Sequence, residues 1–563
     1  ATDFRNPYRG VALDATFNLF HMDNDSGAGA RFTGCRLMYI PEAADCGWRL
    51  KEGERGMVPD PIRAAGFGEL PGKMPALLKT GKGGPAGVLI YNESQFPEQY
   101  RGLIYYPDLV RRSIRAYKPQ PDGGTFAITE EFTFLKSNDP LFRPCQMVVG
   151  PDGSMLLLDW RSDFKNAGHW GDGKHGRIYR LSWANQDKEN GYPLRGRDSW
   201  AKLLKMKDEE LREKLYSVDF SIRLKAQQEL VRRKKSLLPL LKLFEDEEEP
   251  MLARIAALGA LQSNGNVLLD KACVGQLNDI EPDLRRLAIE ALGLMKAAKG
   301  TKAIGLLIDN DLAVARTAGL ALARTGAAGI PDIIASTLAN DDSGDRFFQD
   351  GLARALEMLG KKGVDTLRSL AESGDKKQTD LAADVFLGLR SREAAKLIPR
   401  LLVNPHVDEK ERARLVRSYT NYLLTPPVSL DPLIEYLEKK TDEKPSVKLA
   451  TLQLLAFADD AKSKKIAKWL MAMTKEKEPS YQLPLAQALG RARVKEAMPY
   501  LKKVLKGEAK SRLEVTHHLL ALRSLGQIDE KEARPVAMNI LKKSKSEELR
   551  AAAKKLVERR GKQ

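Results

Sequence analysis

Arginine, asparagine and proline near the start of the chain, and an arginine further on, are the first residues whose chemistry could define a site. Arg5 and Asn6 precede a proline, and Arg143 lies in LFRPCQMVVGPDG. A planar guanidinium presents paired donors that match the geometry of a carboxylate. These residues could equally be structural, with Arg-Asn-Pro as a turn that opens a strand and Arg143 as the partner of an acid such as Asp139.

Two loops carry side chains of the types that bind metals. Asp23 and Asp25 offer carboxylate oxygens, which suit calcium, although their loop lacks the spacing of an EF-hand and short acidic loops also cap strand ends. His169 and His175 flank Asp172 in GHWGDGKHGR and could hold a metal. The alternative for these histidines is a glycine-rich connection in which they bond to the backbone.

Other polar and aromatic residues are predicted to be structural. In GPDGSMLLLDW, Asp159 is expected to cap a turn and Trp160 to fill the gap between sheets. His406, His517 and His518 have no cysteine or carboxylate at ligand spacing, so we expect them to be structural or surface residues.

Composition and charge limit the classes of partner that we expect for this chain. The chain has 563 residues and a formal net charge of +17, yet residues 1–184 hold 23 Lys+Arg against 21 Asp+Glu. The excess therefore follows residue 184, where basic residues alternate with acids, as in KEKEPS and LKKSKSEELR, and aromatic residues are sparse. This pattern favours a solvated basic surface over nucleic-acid binding and leaves an anionic partner or membrane surface open.

Cysteine spacing and apolar runs indicate what the sequence lacks. The four cysteines have neither CxxC nor CxxCH spacing, so no haem-attachment motif is visible, although Cys35 and Cys46 could pair. No apolar run reaches the roughly 18 residues that a membrane-spanning helix needs. No signal-peptide pattern is visible either.

Residues 1–184 carry the signals of short β-strands. Runs such as GVLIYNESQF, TFAITEEFTFL and QMVVGPDGSMLLLDW are separated by clusters of Gly, Pro, Asp and Asn. Many short strands with regular turns predict a sandwich, a barrel or a propeller. A four-stranded blade takes roughly 40–60 residues, so this segment corresponds to about three blades. The charged stretch 185–215 is predicted to be a linker.

Residues 216–563 repeat. Phrases such as IAALGALQS, LAIEALGLM, LARALEMLG and LAQALGRAR recur with a period between 30 and 36 residues. The equivalent positions are Leu258, Leu292, Leu322, Leu356, Leu387, Tyr419, Leu455, Leu489, Leu522 and Leu556. This period predicts about ten helix–turn–helix units stacked into an α-solenoid, with Ala and Gly allowing close helix approach.

Three segments together resemble a known family: FRNPYRGVALDATFNLFHMDND, GPAGVLIYNESQFPEQYRG and DPLFRPCQMVVGPDGSMLLLDW. They are similar to the glucose/sorbosone dehydrogenase-like propeller of planctomycete-type "membrane-bound dehydrogenase" proteins, which is often followed by HEAT-like repeats. The phrase EPDLRRLAIEALG resembles such a repeat. The resemblance implies a partial β-propeller of about three blades, the C-terminal half of a six-bladed one, followed by an α-solenoid of HEAT-like repeats.

The resemblance also implies a cofactor and a location. It assigns contacts with pyrroloquinoline quinone (PQQ), a tricarboxylate, to Arg5, Asn6 and Arg143, and it implies a periplasmic or exported protein. Soluble glucose dehydrogenases place a lysine against the quinone where Val110 stands here, beside Arg111 and Arg112. The general-base histidine of the family would lie in an N-terminal half that we expect to precede this sequence.

Two functions are therefore predicted. The first is the C-terminal part of a PQQ-dependent sugar or alcohol dehydrogenase whose repeats bind a protein partner, this chain being inactive alone. The alternative is a non-catalytic propeller–HEAT scaffold for protein interaction. The absent lysine, base histidine and haem motif favour the scaffold for this chain, whereas the resemblance favours the dehydrogenase for the parent protein.

Overall fold

The computed structural model divides the chain into two units, residues 1–59 with 63–363 and residues 60–62 with 364–563. Each unit is described by itself. The structure describes residues 4, 10–24, 35–46, 74–81, 83–161, 176–184, 191–234, 237–265, 268–372, 429–440, 442–456 and 463–558, and most of 375–419.

Three small antiparallel sheets open the first unit, and each is built from strands that follow one another in the sequence. The first sheet has the order β1 (Val11–Leu13), β2 (Leu19–Asp23), β3 (Cys35–Tyr39), β4 (Leu78–Gly81). The second has the order β5 (Leu89–Ile90), β6 (Ile104–Asp108), β7 (Ser113–Asp122), β8 (Thr125–Lys136). The third has β10 (Met155–Asp159) between β9 (Pro144–Val149) and β11 (Arg177–Leu181).

Successive residues of a strand point to opposite faces of the sheet, so each sheet has two faces that can pack. The three sheets stack face to face in chain order. Phe20 and Tyr39 of the first sheet share one core with Ile104 and Tyr117 of the second. The residues on the other face of the second sheet, which include Tyr105, pack on the third sheet. The second sheet is therefore apolar on both faces. These sheets agree with the predicted β-rich segment, but the described strands do not close into a ring, so a complete propeller is not shown.

The β7–β8 hairpin extends well beyond the strands that flank it. Its ladder continues from Ser113↔Lys136 to Asp122↔Thr125, while β6 pairs only with Ser113–Tyr117. Two register shifts interrupt the ladder and bend the arms. The two-residue turn Gly123-Gly124 closes the hairpin, and Gly123 has a φ of 56°, which favours glycine.

Helices complete the first unit. They are α1 (Ser199–Leu203), α2 (Asp208–Glu213), α3 (Phe220–Arg233), α4 (Leu237–Glu245), α5 (Met251–Asn264), α6 (Leu269–Gly275), α7 (Pro282–Leu294), α8 (Leu312–Thr325), α9 (Ile330–Ala339) and α10 (Arg346–Met358). A 3-10 helix at Ala298–Ile308 takes the place of an α-helix between α7 and α8. The predicted linker 185–215 contains α1 and α2, so its described part is not simply an extended connection.

The second unit is helical throughout its described residues. α11 (Lys361–Ala371) lies at the boundary between the units. It is followed by α12 (Arg392–Leu402), α13 (Glu409–Ser418), α14 (Asp431–Lys439), α15 (Pro445–Leu455), α16 (Lys464–Met473), α17 (Gln482–Arg491), α18 (Met498–Val504), α19 (Arg512–Ile528), α20 (Glu530–Lys543) and α21 (Glu547–Glu558).

The predicted repeat positions lie in the helical core. Leu258, Leu292, Leu322 and Leu356 are buried on α5, α7, α8 and α10, and Leu489 and Leu522 are buried on α17 and α19. The prediction of a helical repeat region is therefore confirmed, with Leu387 outside the described residues. No helix in the described part of the chain is long and apolar enough to cross a membrane.

Arg254 and Arg285 tie two repeats of the first unit to the turns that follow them. The Arg254 guanidinium on α5 lies 2.5 Å from the Asp279 carboxylate, with both side chains at most 2% exposed. Arg285 on α7 donates two hydrogen bonds of 2.8 Å to Asp309 and a third to the Asp279 carbonyl. Because a buried charge is costly unless it is paired, these contacts fix the spacing between repeats.

We predict that Arg254→Met destabilises the chain by about 3 kcal/mol, because it leaves the Asp279 carboxylate buried without its cation. Calorimetric melting would detect the loss as a lower midpoint for the transition of the first unit. Lys202→Met is the matched control, because Lys202 and Asp198 form an exposed pair at 3.1 Å and such pairs contribute less than about 1 kcal/mol. Equal shifts in the two variants would contradict the prediction.

Candidate interaction site

Within the first unit, the sheets meet the helices along a series of polar contacts that we call the seam. The contacts join strand ends and loops of the sheets to α3, α7, α8 and α10, for the most part near the N-termini of these helices. The residues of the seam are Thr16, Glu42, Glu93 and Gly124 on the sheet side and Arg195, Asp219, Ser221, Arg286, Arg316, Arg324 and Asp345 on the helix side. All of them lie in one compact unit.

Glu93 joins the second sheet to the start of α3. Its carboxylate accepts hydrogen bonds from the backbone N–H and the hydroxyl of Ser221, both at 2.9 Å. The adjacent carbonyl of Asn92 accepts from the Phe220 N–H at 3.0 Å. A carboxylate at a helix N-terminus satisfies orphan donors and complements the helix dipole. Glu93 therefore caps a helix through Ser221, a residue that lies 128 positions later in the chain.

Arg195 reinforces the same junction. Its guanidinium lies 2.8 Å from Glu93 and 2.6 Å from Asp219, which in turn accepts from the Ser94 N–H at 2.6 Å. Burial raises the pKa of the Glu93 carboxyl, although Arg195 and Ser221 oppose that shift. Burial also acts to raise the pKa of Asp219, but Ser94 and Arg195 outweigh it and the pKa is lowered. The junction is thus a buried, hydrogen-bonded ionic network.

Two repeat arginines bind backbone carbonyls of the first sheet's loops. Arg286 on α7 donates to the Thr16 carbonyl at 2.7 Å and is held by Asp283 at 2.8 Å. Arg316 on α8 donates to the Glu42 carbonyl at 2.5 Å and to the Phe347 carbonyl at 3.0 Å. Each guanidinium thus recognises main-chain atoms of a neighbouring segment rather than one particular side chain.

Arg286 and Arg316 occupy equivalent positions in their two repeats. Arg286 stands six residues before Leu292, and Arg316 stands six residues before Leu322. Their shared position, an arginine near the start of an otherwise apolar helix, was the sequence signal that could have located the seam. Arg324, later on α8, adds an ion pair with the Glu42 carboxylate.

The tip of the β7–β8 hairpin binds the start of α10. Asp345 accepts from the Phe348 N–H at 2.8 Å as the helix N-cap, and its other oxygen accepts from the Gly124 N–H at 2.8 Å. A Cβ at Gly124 would lie 2.9 Å from that carboxylate and 3.3 Å from the Phe347 Cβ. Phe347 itself joins the core between the first two sheets, with its ring centroid 6.0 Å from that of Tyr39.

The chemistry of the seam is that of polypeptide recognition. Guanidinium groups bind carbonyl and carboxylate oxygens, and helix N-termini bind carboxylates. In the described residues, no group of three or more His, Cys, Asp or Glu side chains is placed to hold a metal ion. The seam thus shows how these repeats hold another chain segment, here one from the same polypeptide.

Several residues predicted as a cofactor or metal site lie outside the described residues. These are Arg5, Asn6, Asp25, His169, Asp172 and His175. Arg143 is described and is only 7% exposed. Its Nη1 donates to the Phe142 carbonyl at 2.7 Å, and its backbone N–H donates to Asp159 at 2.7 Å. Asp139, the alternative partner considered for Arg143, instead pairs with Arg161 at 2.7 Å.

The described residues that Arg143 contacts thus include Phe142, through its carbonyl, and Asp159, through its carboxylate. Val110, at the position of the family lysine, is 48% exposed, and the neighbouring Arg111 donates to the Thr80 carbonyl at 2.6 Å. The predicted PQQ contacts of Arg5, Asn6 and Arg143 stay predictions.

Asp23 lies beside a cation that belongs to the protein. Its Oδ2 is 2.5 Å from Arg36 Nη2, both side chains are 1% exposed, and Arg36 also donates to the Cys46 carbonyl at 2.7 Å. A calcium ion at this oxygen would have to compete with the guanidinium. The predicted calcium role of Asp23 therefore has an electrostatic competitor, and it stays a prediction with Asp25.

The structure also tests the predicted turn-capping role of Asp159 and the pairing considered for Cys35 and Cys46. Asp159 Oδ1 accepts from the backbone N–H groups of Arg143 and Arg161, which is the predicted turn-capping role. Cys35 and Cys46, which could have paired, are buried thiols rather than halves of a disulfide. Burial raises the pKa of Cys46 to about 12, so this thiol is unreactive at neutral pH.

The excess positive charge lies in the second unit. Residues 364–563 hold 41 Lys+Arg against 27 Asp+Glu. Exposed lysines there pair with acids on a neighbouring helix: Lys468 of α16 with Glu438 of α14 at 3.6 Å, and Lys502 of α18 with Glu532 of α20 at 2.8 Å. This alternation of charge is typical of a solvated helical surface.

Comparisons with known proteins give the following matches. A family model described as a domain of unknown function (DUF7133) matches residues 80–185. In the comparison with curated proteins, no sequence matched. An engineered protein of known structure is 19% identical, with a TM-score of 0.31, and the match covers 63% of this chain and 98% of that protein.

Two natural proteins of known structure match different shares of the chain. An oxidoreductase described as a glucose dehydrogenase, from Thermus thermophilus, is 18% identical with a TM-score of 0.22, over 31% of this chain and 46% of that protein. Kap121p is 13% identical with a TM-score of 0.40, over 63% of this chain and 45% of that protein. This chain therefore spans less than half of the length of either protein.

We predict that Glu93→Gln loosens the start of α3, because the amide cannot neutralise Arg195 and retains only one acceptor oxygen. The expected loss is about 3 kcal/mol. Hydrogen exchange at the Ser221 and Phe220 amides should accelerate roughly 100-fold. Glu98→Gln, an exposed change in the same loop, should leave those amides unaltered, and equal acceleration in both variants would count against the capping role.

We also predict that Gly124→Ala lowers the melting temperature of the first unit, because its Cβ would crowd the Asp345 carboxylate and Phe347. A loss of about 1–3 kcal/mol is expected. Gly275→Ala is the matched control: a Cβ there meets nothing within 4 Å, so the change should be neutral or slightly stabilising. If the two variants melt alike, the hairpin tip does not contribute to docking.

Proposed function

We propose that this chain is a protein-interaction scaffold, in which the sheets and the first repeats form one platform and further helical repeats bind a protein partner. The observation that carries the proposal is the seam, where repeat arginines and helix N-termini hold a β-rich segment by its carbonyls and carboxylates. Stacked helical repeats commonly provide extended binding surfaces for protein segments. The same series of helices continues through α21.

The described residues support binding more than catalysis. The buried charged groups of the seam are hydrogen-bonded to structural partners, and Arg143 is turned towards its own loop. The edge of the first repeats that holds the sheets is already occupied by this chain. Partner binding is therefore assigned to the helical surface of residues 364–563.

The basic surface of residues 364–563 does not by itself favour nucleic acid. Some of its lysines pair with acids of a neighbouring segment, as Lys448 does with Glu476 at 3.5 Å. Nucleic-acid binding requires cations left free to neutralise successive phosphates. We therefore propose a protein partner and treat nucleic acid as the competing outcome.

The test is affinity capture with the full chain, followed by calorimetry with the purified captured protein. The expected result is a saturable complex of defined stoichiometry that survives nuclease treatment. Dependence on nucleic acid would overturn the proposal, as would oxidation of a sugar or alcohol by the chain when PQQ and an artificial electron acceptor are supplied. The Glu93→Gln variant serves as a check that partner loss does not simply follow from a loosened seam.

A second candidate is the C-terminal part of a quinoprotein sugar or alcohol dehydrogenase, exported to the periplasm. It is favoured by the arrangement of the three sheets. Each sheet is formed from strands that follow one another in the sequence, and each sheet packs on the next one in chain order. On this candidate, Arg5, Asn6 and Arg143 would hold PQQ, whose quinone would accept the electrons of the substrate. The guanidinium groups of this chain would bind and orient its carboxylates.

If this second candidate is correct, PQQ binds the chain in isothermal calorimetry, and Arg143→Ala weakens binding at least tenfold, because a carboxylate loses its guanidinium partner. Arg177→Ala, at an exposed arginine of the third sheet, is the matched control and should leave the affinity unchanged. Failure of PQQ to bind, or equal weakening by both substitutions, would reject the candidate.

A further inference from the structure

In the second unit, the turns of two successive helix pairs lie side by side. The first turn, residues 505–511, joins α18 to α19, and the second, residues 544–546, joins α20 to α21. The Lys545 ammonium of the second turn lies 3.6 Å from the Glu508 carboxylate of the first. Leu505 of the first turn packs in one apolar cluster with residues of α20. The two turns therefore form one continuous surface at the edge of the helical array.

Lysine and arginine are concentrated around these turns. Residues 502–514 and 542–550, which we call the basic tip, hold nine Lys+Arg against four Asp+Glu. Two of the cations form ion pairs, Lys502 with Glu532 and Lys545 with Glu508. Six others are exposed and have no ion pair with any residue that the structure describes, namely Lys503, Lys506, Lys510, Arg512, Lys542 and Lys543. The basic tip thus carries positive charge that its own acids do not neutralise.

The remaining acids of the basic tip take part in its local structure. The Glu514 carboxylate accepts from the Lys510 backbone N–H at 2.6 Å, and the Glu514 N–H donates to the Ser511 hydroxyl at 3.2 Å. Glu547 and Glu548 lie in the first turn of α21, where carboxylates complement the helix dipole. These acids stabilise the helix starts, so the exposed cations keep their charge available for another molecule.

Hydrogen bonds within the turns fix the backbone that carries these cations. The Arg550 guanidinium donates to the Ser544 carbonyl at 3.0 Å, and the Ser544 hydroxyl accepts from the Ser546 N–H at 3.2 Å. In the first turn, the Lys506 N–H donates to the Lys503 carbonyl at 3.1 Å. A surface whose backbone is ordered before binding loses less conformational entropy when a partner binds.

We propose that the basic tip binds an acidic segment of the protein partner. This inference rests on the proposed function, because it names the chemistry of the partner that residues 364–563 would bind. Carboxylates distributed along a peptide could pair with lysines of both turns at once. Complementary charge of this kind accelerates association and disfavours partners of the same sign.

The composition of the basic tip favours carboxylates over nucleic acid. Proteins that bind single-stranded nucleic acid combine cations with aromatic side chains on which the bases stack. Residues 501–563 contain no Phe, Tyr or Trp. Arginine is the side chain best suited to bidentate recognition of phosphate, and Arg512 is the one arginine among the six exposed cations.

The experiment measures the fluorescence anisotropy of a short labelled peptide, in which Glu alternates with Ser, on titration with the full chain. The control peptide has Gln in place of every Glu. We expect saturable binding of the Glu peptide, an affinity that falls as added salt screens the charges, and no binding of the Gln peptide. Equal binding of the two peptides would overturn the proposal.

Charge reversal locates the binding surface. The double substitution Lys506→Glu with Lys543→Glu places one repulsive charge on each side of the basic tip and should weaken peptide binding at least tenfold. The matched control, Lys464→Glu with Lys468→Glu, reverses two exposed lysines of α16 and has the same net charge. It should bind like the wild type, and both variants should keep the wild-type melting temperature. Equal weakening by the two variants would show a response to overall charge and reject the basic tip.

Further measurements separate this inference from the proposed function. A purified protein partner that binds the Lys506→Glu, Lys543→Glu variant as tightly as the wild type would reject the basic tip as its site and leave the scaffold function standing. Absence of any protein partner would contradict the scaffold function alone, because the peptide titration does not depend on that partner. Tighter binding of a single-stranded oligonucleotide, or of phosphatidylserine vesicles, than of the Glu peptide would overturn the assignment to a protein segment.

Discussion

The structure of the first unit depends on the requirement that a buried guanidinium must meet hydrogen-bond acceptors. Arg286 and Arg316 are at most 8% exposed, and each finds a main-chain carbonyl of the sheet segment. Removal of the sheets would take these acceptors away from two charges that lie on largely apolar helices. Conversely, removal of the helices would expose the aromatic core that Phe347 completes. Neither layer is independent of the other.

This mutual dependence gives the helical repeats a receptor role towards their own chain. Arginine recognition of backbone carbonyls places few demands on the side chains of the bound segment, while the Glu93 cap adds selectivity for a carboxylate at one position. Any array of parallel helix N-termini could use the same two kinds of contact, arginine with backbone carbonyl and helix N-terminus with carboxylate. The proposed scaffold function would use the same kinds of contact that hold the first unit together.

Much of the fold can be predicted from the sequence, but little of the candidate site can. The repeat leucines identify the helical array, because their period follows from local helix geometry and burial. The short β-rich runs between clusters of Gly, Pro, Asp and Asn identify the strands, and the turn role of Asp159 follows from its position in GPDGSMLLLDW. The seam could not be read in this way: Glu93 and Ser221 are 128 residues apart, and nothing local to either residue signals a shared cap.

The predicted ligand roles of Asp23 and Arg143, which rest on residue type alone, stay predictions, and the structure shows what each side chain already contacts. Asp23 has the chemistry of a calcium ligand, but the structure sets it against Arg36, which is 13 residues away on the next strand. Arg143 has the chemistry of an anion binder, yet its guanidinium donates to a carbonyl of its own loop. Side-chain type defines what a residue could bind, and only the three-dimensional neighbourhood determines whether that capacity is already used.

The separation of the seam contacts along the chain also sets the order of synthesis and folding. Thr16 and Arg286 are 270 residues apart, and Glu42 and Arg316 are 274 residues apart. At a translation rate of roughly 5–20 residues per second, the sheet segment leaves the ribosome about 15–60 s before the helices that hold it. During this interval the sheet segment lacks the guanidinium groups of α7 and α8 and the Asp345 carboxylate of α10, so the seam can form only after α10 has been synthesised.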